Sequence, residues 1–280
     1  MAVLVGVVVS CTPKPEVRTY ELKGQILALD PKTQEVLVKH EDIAGFMPAM
    51  TMPYLVKDVA VLQGRAAGDL ITATLNVAPE GGAWLSAITK TGSAPLPDDA
   101  PEHVPVAANA KILQPGDEAP DTSLTAEDGK PVSLKDFRGS AVALTFIYTA
   151  CPLPQYCPLL DRRFAELQTL IAADAALRGK VHLLSVSFDP ARDDATALKA
   201  HAQKLKADPQ VWRFASAPED VVDRFAVGFG VNVIREKDGT ITHNLRTAII
   251  DPSGRVVAIH SDNTWTVQDL AAELKRSLRH

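Results

Sequence analysis

Between Thr19 and Thr91, apolar and polar residues alternate through TYELKGQILALD, EVLVKH, DLITATLNVA and AWLSAITK, with PKTQ turning the chain after the first. A period of two marks strands with one buried face, and no helical period interrupts it. These residues predict a small all-β domain over 19–91, closed as a barrel. The alternation gives way over 92–111, where Pro95, Pro97, Pro101 and Pro105 stand among Asp98, Asp99 and Glu102 with almost nothing large and apolar to bury. Such a stretch reads as a semi-extended interdomain linker. From 112 to 280 strands alternate with helices. A hairpin through AEDGKPVSL is followed by the apolar run AVALTFIY, read as a buried strand, and by an amphipathic helix from Leu159 to Leu177. Then come the strand VHLLSVSFD, a helix from Asp194 to Lys206, the strand VWRFASA and a helix from Pro218 to Val227. A hairpin turning at KDGT, the strand TAIIDPSGRVVAIH with its own turn, and a helix from Val267 to Leu278 complete the chain. This grammar predicts an α/β domain behind the all-β one.

The 280 residues are 46% hydrophobic and 22% charged, which is globular and excludes a disordered tail or a multi-span membrane protein. The net charge of −5 supplies no basic surface, so no nucleic-acid partner is expected. Residues 1–18 read as a signal segment and tether. Ala2 to Val9 is apolar without a break, long enough for a leader and far short of the ~20 residues of a membrane helix. The run ends in VVSC, which resembles a bacterial lipobox; that resemblance implies a lipid on Cys11, a membrane anchor and export to the periplasmic side of the inner membrane. In that oxidising compartment a close cysteine pair can become a disulfide.

Sulfur is scarce and clustered. Cys151 and Cys157 share the segment FIYTACPLPQYCPLL, where the buried strand gives way to a helix. A helix N-terminus favours the thiolate, the form that attacks disulfides and binds metal; the competing reading is a structural disulfide. Five residues separate the two, against two in ordinary thioredoxin motifs. Apart from the initiator, every methionine lies in KHEDIAGFMPAMTMPY as Met47, Met50 and Met52, close after His40. Met50 and Met52 are two apart and share one face of a strand. Methionines usually fill cores. Thioethers, however, have no proton to lose and cannot be captured as a disulfide, so they keep their affinity for soft Cu(I) where thiols fail.

FIYTACPLPQYCPLL, SFDPARDD, HNLRTAIIDP and SDNTWTVQDL, in that order, resemble the Sco/SenC family over about 112–280, in the CPLPxxCP subset. The resemblance implies a thioredoxin-like fold and a copper carrier for the binuclear centre of cytochrome oxidase. It implies Cys151, Cys157 and His243 as ligands to Cu(I) or Cu(II). Asp189 is either a group supporting those ligands or a structural turn residue. The methionine segment resembles periplasmic CusF-type proteins over 19–91, implying an OB-like five-stranded barrel with copper on His40, Met50 and Met52. Met47 stands where those proteins place a Trp over the metal, and can serve as a fourth ligand.

Together these readings describe an exported, lipid-anchored copper metallochaperone with two sites, its partner a copper-accepting protein such as a cytochrome oxidase subunit. The alternatives are a thiol–disulfide oxidoreductase or peroxidase acting through the same cysteines, and a copper buffer for tolerance.

Overall fold

The computed structural model describes residues 17–31, 34–47, 49–78, 83–97, 112–231, 233–235, 241–261 and 264–279. The leader with Cys11, most of the linker and the KDGT turn lie outside the described residues. Among the described residues no helix is long and apolar enough to cross a membrane.

The first five strands are β1 (Arg18–Asp30), β2 (Glu35–His40), β3 (Met50–Val56), β4 (Asp69–Val77) and β5 (Ala83–Ser93). They close into a barrel in the order β1-β2-β3-β5-β4, with β3 and β5 parallel and the other pairs antiparallel. Alternate residues fill the interior: Leu22 and Ile26 from β1, Val36 and Val38 from β2, Tyr54 and Val56 from β3, Ile71 and Leu75 from β4. Gly24 is fixed by a close approach. A side chain there would meet the Lys39 carbonyl oxygen at 2.5 Å and the His40 Cα at 2.8 Å. Only a residue without Cβ lets β1 bend this tightly over the end of β2. β5 runs to Ser93, past the expected boundary at 91, because β4 still offers it a partner. Beyond it the Ala94 amide donates to the Gly68 carbonyl (2.9 Å), and the Gln25 amide holds the carbonyls of Ala94 and Pro95 (2.9 and 3.0 Å).

The second unit is a seven-stranded sheet flanked by helices. Its elements are β6 (Leu124–Ala126), β7 (Pro131–Val132), β8 (Ala141–Ile147), α1 (Cys157–Ala173), β9 (Val181–Ser187), α2 (Ala195–Leu205), β10 (Trp212–Ser216), α3 (Glu219–Gly228), β11 (Val233–Arg235), β12 (Ile241–His243), β13 (Thr247–Ile250), β14 (Val256–His260) and α4 (Val267–Ser277). The sheet order is β14-β13-β8-β9-β10-β6-β7, and β11 pairs with β12 in a separate ribbon. Every residue of β8 is buried, as expected of a central strand covered on both faces. α1 begins two residues before the expected Leu159, since Pro158 fits a first turn. It ends at Ala173 rather than Leu177. The Asp174 carboxylate accepts from the Ala176 amide (2.8 Å) and diverts the backbone into a turn.

The barrel is seated on this unit through β3 and β12, which pack together. Thr242 donates its hydroxyl to the Thr51 carbonyl (2.7 Å). Glu35 accepts from the Asn244 side chain (2.9 Å) and from the Arg246 guanidinium (3.2 Å), with both charged side chains almost fully buried. Apolar burial is continuous from barrel to sheet.

Gly24→Ala should lower stability by about 1–3 kcal/mol, the usual range for an overpacked site. Hydrogen exchange resolved by peptide is expected to show the loss in β1 and β2 and unchanged protection in β8 and β9.

Candidate metal centre

The loop from β8 to α1 carries both thiols. It is held from below by Asp193, whose fully buried carboxylate accepts from the Thr149 amide (2.9 Å), the Thr149 hydroxyl and the Ser187 hydroxyl (2.5 Å). The Cys151 amide donates to the Tyr148 carbonyl (3.3 Å), and Tyr156 closes the turn onto Leu153 (3.0 Å). Cys157 is therefore the first residue of α1 and is buried, while Cys151 is half-buried on the loop; both are free thiols. Their acidities diverge. The hydrogen bond from Cys157 draws the Cys151 pKa down to about 7, whereas burial, with the neighbouring sulfur, pushes Cys157 well above the ordinary thiol value.

His243 ends β12 and faces this pair, its Nε2 lying 3.7 Å from the Cys157 Sγ. Its Nδ1 is 3.0 Å from the Asn244 carbonyl oxygen. Because a carbonyl only accepts, Nδ1 carries the proton and Nε2 presents a lone pair to sulfur. Phe188 and Tyr148 enclose the ring at centroid distances of 4.5 and 5.8 Å, and burial lowers the pKa to about 4. The imidazole is neutral at physiological pH. Asp189 lies in a turn: its carboxylate pairs with Arg192 (2.7 Å), and its carbonyl accepts from the Arg192 and Asp193 amides.

In the barrel, His40 and Met50 are directly opposed across β2 and β3, and Met52 follows opposite Val38. The loop 41–47 folds back through the Ile43–Met47 bridge and buries Met47 beside them. The Tyr54 hydroxyl points at the sulfurs of Met47 (3.8 Å) and Met52 (4.0 Å), and its ring lies 5.8 Å from His40. Tyr54 is thus an aromatic neighbour of the imidazole, with Met47 on its hydroxyl side. Trp84 lies elsewhere, under the Lys57 ammonium (3.2 Å). His40 repeats the arrangement of His243. Its Nδ1 donates to the Glu41 carbonyl (2.7 Å), burial lowers its pKa, and its Nε2 is buried without a hydrogen-bond partner.

The two sets meet. One pocket is lined by Met50 and Met52 from the barrel and by Cys151, His243, Tyr148 and Tyr156 from the other unit. Among the described residues no three His, Cys, Asp or Glu side chains are gathered closely enough to hold a metal by themselves. Sequence reasoning missed Tyr54, Asp193 and Glu35. The first was signalled by its spacing, since Met50, Met52 and Tyr54 fall on one strand face, and the second by its place in SFDPARDD.

Iodoacetamide should label Cys151 with a rate that rises through about pH 7, as its thiolate forms. Cys157 should stay largely unlabelled even at about pH 8, where an ordinary thiol near 8.5 already reacts. Peptide mass spectrometry across a pH series checks the order.

Comparison with known proteins follows the same division. Residues 111–279 match the family profile described as SCO1/SenC, and residues 19–90 match that of the copper binding periplasmic protein CusF. No curated protein matches the chain by sequence. A SCO1/SenC family lipoprotein from Bacillus anthracis str. Ames is 26% identical at a TM-score of 0.52, covering 61% of this chain and 97% of its own. Arabidopsis thaliana ScoI with copper bound is 20% identical at 0.51, covering 58% and 99%. BsSco, a Sco protein in which a disulfide switch was identified, is 22% identical at 0.51, covering 60% and 98%. The latter two likenesses are of fold. Since the SCO1/SenC match spans more than half of the 280 residues, the chain belongs to the SCO1/SenC family.

Proposed function

We propose that the chain is an exported copper metallochaperone with two copper sites, delivering the metal to an acceptor such as a cytochrome oxidase subunit. One observation carries the reading. In two unrelated folds a buried, neutral imidazole gives Nδ1–H to the next residue's carbonyl and turns Nε2 inward, without a partner in His40 and 3.7 Å from the Cys157 Sγ in His243. An unpaired buried nitrogen is costly unless something binds it, and a fixed tautomer with a free lone pair suits a metal.

Cys151, Cys157 and His243 would hold copper on the α/β side. Thiolates favour Cu(I), and the imidazole also suits Cu(II). His40, Met50 and Met52, with Met47 as fourth ligand, would hold Cu(I) in the barrel, whose strand order supports the OB-like assignment. Copper in the Arabidopsis ScoI structure and the CusF match of residues 19–90 support the choice of metal. The periplasmic CusF protein and the Bacillus lipoprotein support export, with Cys11 as the lipid-bearing residue. The membership of BsSco in the Sco family of cytochrome c oxidase assembly proteins supports the acceptor.

The half-exposed Cys151 beside the buried Cys157 favours a second reading, a thiol–disulfide oxidoreductase in which Cys151 attacks and Cys157 resolves.

The reduced full chain should bind two Cu(I), seen by X-ray absorption as sulfur and nitrogen donors. Oxidising the cysteine pair should remove one copper. Met50→Leu with Met52→Leu should remove the other without unfolding the barrel, a volume-conserving change that costs under ~1.5 kcal/mol. An exchange enzyme would behave differently: it would bind no stoichiometric copper, and the double variant would still reduce a disulfide-bonded two-cysteine acceptor peptide at the full rate.

A further inference from the structure

The assignment of copper to Cys151, Cys157 and His243 leaves open what else touches that metal when the barrel is seated. We propose that Met50 is a shared ligand: in the seated arrangement its thioether completes the coordination of copper held by the cysteine–histidine set, so that copper crosses between the two sites without entering solvent. This rests on the copper reading above.

Three observations converge on it. Met50 lies at the end of the barrel's ligand face, opposite His40, yet lines the same pocket as Cys151 and His243. Met52 lines that pocket too but is 5% exposed and bound into the barrel core, whereas Met50 is half-buried and the more accessible of the two. Cys157 and His243 already stand 3.7 Å apart, Sγ to Nε2, and Cys151 lines the same pocket wall as His243. A soft donor from across the pocket adds a fourth position to that set.

The arrangement is pinned next to the ligands themselves. Thr242, adjacent to His243, bonds the carbonyl of Thr51, which lies between Met50 and Met52. Glu35, buried against Arg246 and Asn244, holds β2 and hence the His40 edge in register. Crossing is then a ligand exchange. The Cu–S bond to Met50 is kept while the Cu–N bond to His40 and the Cu–S bonds to Met47 and Met52 are replaced by Cu–S bonds to Cys151 and Cys157 and a Cu–N bond to His243. Copper stays Cu(I), and each thiol that enters releases its proton to solvent, so no oxidant or reductant is consumed.

The test uses the full, reduced chain with Met47→Leu and Met52→Leu, grown on selenomethionine and loaded with one Cu(I). Met50 is then the only methionine besides the initiator. Absorption at the selenium edge should show a copper neighbour at bonding distance, and Met50→Leu should abolish it. Glu35→Gln, which leaves Arg246 without its charge partner, should also abolish it while the copper edge still reports bound sulfur and imidazole. Copper on sulfur and imidazole with no selenium contact in the parent chain overturns the shared-ligand proposal and leaves the metallochaperone reading intact. A copper edge showing neither cysteine sulfur nor imidazole overturns that reading instead. A second measurement keeps every native ligand. With one Cu(I) bound, Glu35→Gln should lose copper to an external chelator at least about tenfold faster than the unsubstituted chain. Equal rates overturn the proposal.

Discussion

Glu35 and Arg246 form an ion pair that neither half of the molecule could bury alone. Each side chain is about one-twentieth exposed, and the carboxylate belongs to the barrel while the guanidinium belongs to the α/β unit. Separating the halves returns both charges to water. Removing one partner while the halves stay together strands the other. Desolvation largely offsets the attraction within such a pair, so its effect is on position more than on strength. Cohesion comes from the continuous apolar burial around it; the pair decides which seating is allowed.

That decision fixes where the sulfur lies. With β2 held at Glu35 and β3 at Thr51, the even-numbered face of β3 brings Met50 and Met52 to the pocket that His243 and Cys151 line from the other side. A slip of one residue along β3 would turn these thioethers away and present Thr51 instead. The chemistry thus depends on strand parity at two places, in the barrel where His40 opposes Met50 and at the contact where β3 meets β12.

Much of this was legible in the chain, for physical reasons that differ by element. β8 was readable because a strand buried on both faces is apolar throughout. The helices from Asp194 and Val267 were readable because their ends carry side chains that cap them; Asp194 and Thr266 do so. The start of α1 was placed late because Pro158 looks like a breaker and is one only inside a helix. β5 ran past its expected end because a strand stops where its partner stops, and the partner is β4. Cys151, Cys157 and His243 were grouped by their motifs, and the structure sets them around one loop. The meeting of the methionines with them had no local signal. It depends on Glu35, an ordinary glutamate in sequence, finding Arg246 more than two hundred residues away. Tyr54 was passed over for a similar reason: its role comes from the fold-back of the loop that carries Met47.

The aromatic enclosure of His243 has a further consequence, for the contest between metal and proton. An imidazole in water takes up its proton near pH 6.5 and from there downward excludes metal. With Phe188 and Tyr148 against the ring, protonation waits until about pH 4. On the proposed copper assignment, hydrogen ions in the mildly acidic range would therefore compete with the metal only at the sulfurs, the ring nitrogen staying open to it down to about pH 4.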